Sequence, residues 1–220
     1  MKADPIRSKE DLAERIRAYG FLPFFRNGVP GWSVAEQIDP ARWFTDEEGP
    51  WEWKGPLASE RVCVYGKFLR GKAAFVDPEA FADLANARRG GWDWEGMEDE
   101  GLAPYNDRLL MRYLAAHPYA LSPRAKRECG FTKGYDTVLT RLQMQTWVVT
   151  ADFVYSRDAH GVPYGWGNAV IDLAERWLGE ETLSVPDGRT PEESFERVVG
   201  RILRAVPDAD EKAVRRELRS

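Results

Sequence analysis

The second half of the chain has an order of patterns that restricts its fold more than any other feature. Residues 105–119 repeat apolar side chains at helical spacing. A short helix is predicted over 121–130, and a third helix begins at Asp136, which we expect to cap it. Two strand-like runs, 147–156 and 162–171, follow around a polar tip. Three helices followed by a hairpin is the order of a winged helix-turn-helix.

The first half shows a weaker form of the same order. A helix is predicted over 8–20, with Ser8 as its cap and Gly20 at its end. Further on, the strand-like runs 61–69 and 72–76 are separated by Arg70 and Gly71, which is a hairpin signal. We therefore predict an α+β protein built from tandem winged-helix-like units.

A segment rich in Gly, Glu and Asp, residues 90–104, separates the two patterns. It is the best candidate for a boundary, because composition changes there and Pro104 ends it. The predicted domains are residues 1–100, an N-terminal winged-helix-like domain, and residues 101–220, a C-terminal winged-helix domain with a helical tail.

The charge is unevenly distributed. The net charge is −5 and the sequence pI is about 5.3, which argues against broad nucleic-acid binding. Residues 92–101 carry five carboxylates and no cation, whereas residues 121–157 carry six cations and three anions. A local basic face of this kind can bind phosphates on a protein that is acidic as a whole.

The absence of several sequence patterns excludes some classes of protein. The two cysteines, Cys63 and Cys129, have no metal-site spacing around them and are read as free thiols of a reducing compartment. Neither signal-peptide nor membrane-span patterns occur, so we expect a cytoplasmic protein without a membrane partner. No phosphate-binding loop, dinucleotide fingerprint or metal cluster is found, and we predict no cofactor and no metal. The sequence leaves the oligomeric state open.

The stretch "RLQMQT", residues 141–146, places two glutamines on either side of a methionine. Side chains two positions apart point about 200° apart on a helix but the same way on a strand. Gln143 and Gln145 can therefore converge on one water only if the helix ends or is distorted near residue 142. If the helix continues, they diverge as ordinary surface amides.

Two stretches resemble a known family. "RLQMQTWVVTADFVYSR" is similar to the signature of the AlkZ-type DNA glycosylases, which belong to a winged-helix superfamily; the matching residues are Leu142, Gln143, Met144, Gln145, Ser156 and Arg157. A second similarity covers Trp51, Trp53, Lys54, Gly66, Arg70 and Gly71. The two stretches stand in the reverse order here and the chain is shorter than the catalytic members, which indicates a divergent relative.

The resemblance implies monofunctional excision of alkylated purines from double-stranded DNA. Gln143 and Gln145 would be catalytic, holding the attacking water and stabilising the charge that develops on the sugar. The DNA-binding residues would be Lys133, Arg141, Arg157 and Lys54, and the residues that support or cover the lesion would be Trp53, Trp147 and Trp166.

Other interpretations stay open at this point. A non-catalytic winged-helix module could bind DNA, with a glutamine reading adenine, and the acidic pI also fits a domain that binds other proteins. The tryptophans are more often core residues than stacking platforms. Asp152, within an apolar run, is either a general base, a partner of Arg157 or a backbone cap.

Overall fold

The computed structural model describes residues 4–43, 48–161, 163–185 and 188–219, and the side chains of all of these except 163, 164 and 166. The first half contains α1 (Lys9–Tyr19), β1 (Phe21–Pro23), α2 (Val34–Gln37), a 3₁₀ turn (Pro40–Arg42), α3 (Pro50–Ser59), β2 (Val64–Leu69), β3 (Lys72–Val76) and α4 (Pro78–Arg89). After α5 (Trp94–Asp99) come α6 (Tyr105–Ala116), β4 (Ala120–Leu121), α7 (Ser122–Glu128), α8 (Tyr135–Met144), β5 (Val148–Arg157), β6 (Pro163–Leu173), α9 (Ala174–Leu178), α10 (Glu180–Leu183), α11 (Pro191–Ala205) and α12 (Glu211–Leu218). The mixture of helix and sheet confirms the predicted α+β class.

Two parts of the chain repeat one order of elements. The first unit, α1–β1–α2–α3–β2–β3, and the second unit, α6–β4–α7–α8–β5–β6, each place helices around a short strand and end in a hairpin. In each unit the short strand pairs with the last strand, β1 with β3 and β4 with β6. The helices and the final hairpin of the second unit follow the predicted order, whereas β1 and β4 were not predicted. We keep the winged-helix description of each unit as an interpretation.

One sheet joins the two units. Its strand order is β1-β3-β2-β5-β6-β4, so the order of one unit mirrors that of the other. At the seam between them, β2 pairs antiparallel with β5 through Tyr65 and Thr150. Helix α3 contacts β5 and helix α8 contacts β2, so each unit also packs a helix on the other unit's seam strand. The predicted boundary near residue 100 lies close to α5, outside this sheet, and stays a prediction.

Equivalent residues at the seam are 85 positions apart, as Tyr65 and Thr150 are. The same spacing relates the ends of α3 and α8. In α3, the N–H of Val62 bonds to the carbonyl of Leu57 at 3.0 Å; in α8, the N–H of Trp147 bonds to the carbonyl of Leu142 at 2.9 Å. Both helices thus end in a Schellman motif, which requires a left-handed residue just after the cap.

The apolar interior has two parts. The larger cluster surrounds the first unit and the tail helices, with Phe21, Phe75 and Phe81 fully buried. The smaller cluster lies between α6, α8 and the second hairpin, around Leu142 and Trp147. Within the described residues, every helix is too short or too polar to cross a bilayer.

Candidate functional site

Gln143 lies in the last turn of α8 and its side chain is buried, with 2% of the residue exposed. Its Oε1 accepts a hydrogen bond from the backbone N–H of Lys67 at 3.1 Å, and its Nε2 donates to Thr150 Oγ1 at 3.0 Å. Lys67 belongs to β2 and Thr150 to β5, so the amide spans the seam between the two units. The glutamine motif alone predicts neither of these hydrogen-bond partners.

Gln145 has a different environment, although it is only two residues away. It caps α8 with φ −83° and ψ 2°, and its N–H bonds to the carbonyl of Arg141 at 2.9 Å. The N–H of Gln145 thus still makes a helical bond although α8 ends at Met144, and on a regular helix side chains two positions apart point about 200° apart. Gln145 is half-buried, and within the described part of the chain its amide makes no hydrogen bond.

The cations predicted to bind DNA have varied surroundings. Lys133 is exposed two residues before α8 begins at Tyr135. Arg157 is exposed near the tip of the second hairpin, where its Nη1 donates to the carbonyl of Gly161 at 2.7 Å. Arg141 Nε donates to the fully buried carboxylate of Asp107 at 2.8 Å, while 39% of the arginine side chain stays exposed. Lys133 and Arg157 are thus the more available of these three for a phosphate.

Lys54 is buried within α3, with 7% of the residue exposed. Its ammonium donates to the carbonyl of Trp51 at 2.5 Å and lies 5.5 Å from the ring centroid of Trp51 and 4.6 Å from that of Phe153. Burial lowers the pKa of Lys54 below its ordinary value. A phosphate contact would require this side chain to leave its aromatic surroundings.

The tryptophans named as lesion supports lie mostly in the interior. Trp53 is 5% exposed and Trp147 is 1% exposed. The guanidinium of Arg89 lies 3.8 Å from the ring centroid of Trp147, and Trp94 packs against the same ring edge-on at 5.4 Å. Trp166 is in β6, but its side chain lies outside the described part of the structure. The two described rings therefore fit the core interpretation.

Asp152 of β5 follows an irregularity in the pairing with β6. Its Oδ1 accepts a hydrogen bond from the N–H of Phe153 at 2.7 Å. Of the three roles considered for this carboxylate, that bond fits the backbone cap.

The first hairpin brings cations next to α8 that the sequence patterns did not connect with it. Lys67 Nζ donates to Thr140 Oγ1 at 3.3 Å, and the N–H of Gly71 donates to the sulfur of Met144 at 3.3 Å. Gly71 has φ +69°, and a Cβ there would lie 3.1 Å from Thr140, so glycine permits the close approach. Lys72, at the start of β3, is exposed beside this contact. The surroundings of the glutamines are thus built from both units.

Among the residues that the structure describes, no group of three or more His, Cys, Asp or Glu side chains has an arrangement that could hold a metal ion. A family model described as "AlkZ related" matches residues 6–219 of the chain. No curated protein and no solved structure matches the chain.

Proposed function

The chain belongs to the AlkZ-related family, whose model covers nearly its whole length, and we propose that it binds alkylated duplex DNA and hydrolyses the N-glycosidic bond of an alkylated purine. The finer parts of this proposal, the lesion and the catalytic roles, rest on the surroundings of the two glutamines.

The observation that carries the proposal is a difference between the two units. The positions equivalent to Gln143 and Gln145 in the first unit are Ala58 and Glu60. Ala58 is fully buried, and α3 nevertheless ends in the same Schellman motif as α8. The fold therefore does not need an amide at this position in order to end the helix, which supports a functional reason for the glutamines of the second unit.

The two amides would have different tasks. Gln145, half-buried and with its amide free of bonds in the described structure, can offer both an acceptor and donors to one water molecule. Gln143, held at both ends by Lys67 and Thr150, fixes the end of α8 against the seam. We therefore assign the contact with water to Gln145 and the support of that contact to Gln143.

The reaction requires the protein mainly to position the attacking water. The water oxygen bonds to C1′ of the deoxyribose, the pair of electrons of the glycosidic bond leaves with the base, and a proton of the water passes to solvent. A purine that alkylation has made cationic leaves as a neutral base, so a well-placed water can replace a strong catalytic carboxylate. The damaged nucleotide must be exposed to the attacking water.

DNA would lie across the exposed side of α7 and α8. Exposed cations that could contact its phosphates include Lys126 and Lys133, with Lys72 from the first hairpin and Arg157 near the tip of the second. Such contacts set affinity and orientation without reading sequence. They also explain how a chain of net charge −5 could hold a polyanion.

A second candidate is a DNA-binding module without catalysis. It is favoured by one observation: α8 continues past Gln143 and the N–H of Gln145 still bonds to the carbonyl of Arg141, an arrangement in which amides two positions apart diverge. In this alternative Gln145 contacts a base edge, as glutamine does with adenine.

Release of 7-methylguanine from methylated duplex DNA tests the proposal, with duplex binding measured on the same samples. We expect wild-type release to be lost in Gln145→Ala while duplex affinity stays within about threefold. Glu60→Ala, the equivalent change in the first unit, should retain release and serves as the matched control. Binding without release from the wild type would favour the second candidate, and absence of both would refute the two together.

A further inference from the structure

The turn that follows the glutamines has an unusual residue at its critical position. In the Schellman motif of α8, Thr146 occupies the place that glycine usually takes, with φ +68°. A β-branched residue is disfavoured in this left-handed conformation. Thr146 is also fully buried, and its N–H bonds to the carbonyl of Gln143 at 2.8 Å. The residues 143–147, called the glutamine turn below, thus hold a backbone conformation that their own sequence does not favour.

Arg89 at the end of α4 binds this turn directly. Its Nη2 donates to the carbonyl of Thr146 at 2.7 Å, and its Nε donates to Thr146 Oγ1 at 3.2 Å. Its Nη1 donates to Glu175 Oε1 at 2.5 Å, and the guanidinium stacks on Trp147, the last residue of the turn. One side chain therefore contacts the strained residue through both its backbone and its hydroxyl.

Arg88 binds the same turn from one residue earlier in α4. Its Nη1 donates to the carbonyl of Met144 at 2.9 Å, and its Nη2 donates to the carbonyl of Phe68 at 2.7 Å. Among the described residues it forms no ion pair. The cation is instead compensated by backbone carbonyls, one of which ends α8, where the helix dipole favours positive charge.

The first unit makes the equivalent turn without such support. Arg61, equivalent to Thr146, has φ +57°, and its own side chain reaches away to the hydroxyl of Tyr119 at 3.4 Å. Within the described part of the chain, no arginine binds the carbonyl of Arg61 or of Ser59, the counterpart of Met144. The arginine pair is therefore specific to the turn that carries the glutamines, and the need to end a helix does not account for it.

We propose that Arg88 and Arg89 are positioning residues, which hold the glutamine turn so that Gln145 presents its amide in a fixed orientation. This inference rests on the proposed function for its chemical meaning. Whether the two arginines order the turn can be measured without any assay of activity. Backbone strain that is held in place by many surrounding contacts is characteristic of functional segments.

Arg176 provides a matched control. It also uses its guanidinium to bind backbone carbonyls, those of Leu114 and Ala115 at 2.8 Å each, and it pairs with the buried Asp172. Its described hydrogen bonds lie outside the glutamine turn. Arg176→Met therefore removes a comparable set of bonds elsewhere in the fold.

The first arm of the experiment measures amide hydrogen exchange, which does not depend on activity. We expect exchange at Thr146 and Trp147 to become at least about tenfold faster in Arg89→Met than in Arg176→Met, at matched global stability. Equal exchange at the turn in the two variants would overturn the inference. If Arg89→Met does not fold, Arg89→Met/Thr146→Gly supplies the left-handed conformation through glycine; folding should then recover while the turn still exchanges fast.

The second arm measures excision kinetics in the same variants. Arg89→Met should lower kcat by about 10- to 100-fold with KM within about threefold, because a small displacement of a positioned group affects the reaction step more than binding. Arg176→Met should retain kcat. Equal losses of kcat in both variants would overturn the inference. A wild type that releases no base would remove the proposed function, and the exchange arm would still decide whether the arginines order the turn.

Discussion

Replacing Gln143 by methionine is expected to destabilise the protein although the side chains are similar in size. The change removes two hydrogen bonds and leaves the N–H of the half-buried Lys67 and the hydroxyl of the buried Thr150 without the partner that each has in the structure. A buried group left without a partner costs about 1–3 kcal/mol, and part of this is offset because a buried amide is replaced by an apolar chain. We expect the free energy of unfolding to fall by about 3 kcal/mol, which corresponds to a decrease in Tm of about 6–12 °C for a chain of this size.

The assay is urea denaturation followed by tryptophan fluorescence. Gln145→Met is the matched control, because Gln145 is half-buried and its amide makes no hydrogen bond among the residues that the structure describes. This variant should change the free energy of unfolding by less than about 0.5 kcal/mol. Gln143→Met/Thr150→Val should cost less than the sum of the single changes, by about 1 kcal/mol or more, since both partners of one bond are removed together. A loss below about 0.5 kcal/mol in Gln143→Met would refute the view that this amide holds the seam.

Charged side chains supply three further tests. Arg141→Ala leaves the buried carboxylate of Asp107 without the guanidinium that binds it. The free energy of unfolding, measured in urea, should fall by about 2–3 kcal/mol, less than for a fully buried pair because the arginine is partly exposed. An unchanged midpoint would contradict this. Burial lowers the pKa of Lys54 below its ordinary value of 10.5. Between the lowered pKa and 10.5, the unfolded chain therefore binds more protons than the folded chain. The free energy of unfolding of the wild type should rise as the pH rises through that window. Lys54→Met should lose this gain when urea midpoints are compared at about pH 7 and about pH 10, and equal gains in both proteins would count against it. Lys133→Ala should reduce the salt slope of duplex binding by about one, and an unchanged slope would place Lys133 outside the interface.

The order of the longer helices and of the two hairpins was accessible from the sequence because it depends on local periodicity, whereas the short strands β1 and β4 were not predicted. The hairpins around 70 and 160, and helix α8 beginning at Tyr135, follow from apolar spacing and turn residues that lie close together in the chain. Of the predicted helix caps, Ser8 and Gly20 of α1 are confirmed, and one is not. Gly134, not Asp136, precedes α8, so the predicted cap was wrong. A left-handed glycine can start the helix there without a side-chain bond, and the carboxylate of Asp136 instead lies in the positively charged first turn.

The candidate site was accessible only in part. The glutamines stand out because two uncharged amides flank the end of a predicted helix, but their environments depend on residues far away in the chain. Lys67 is 76 positions from Gln143, and Arg89 is 57 positions from Thr146. No local pattern encodes such distances; they follow from the pairing of β2 with β5, which only the folded sheet establishes.

The lengths of the strands in the shared sheet bear on which strand edges are open to another chain. The outer edges are formed by β1, with three residues, and β4, with two, and short edges offer little template for another chain. The longer β2 and β5 face each other at the seam. If either half were produced alone, β2 or β5 would become an open edge with unsatisfied backbone groups, and that half would tend to self-associate through it. Joining both halves in one polypeptide places β2 and β5 in the same molecule, so their pairing does not depend on an encounter between separate chains.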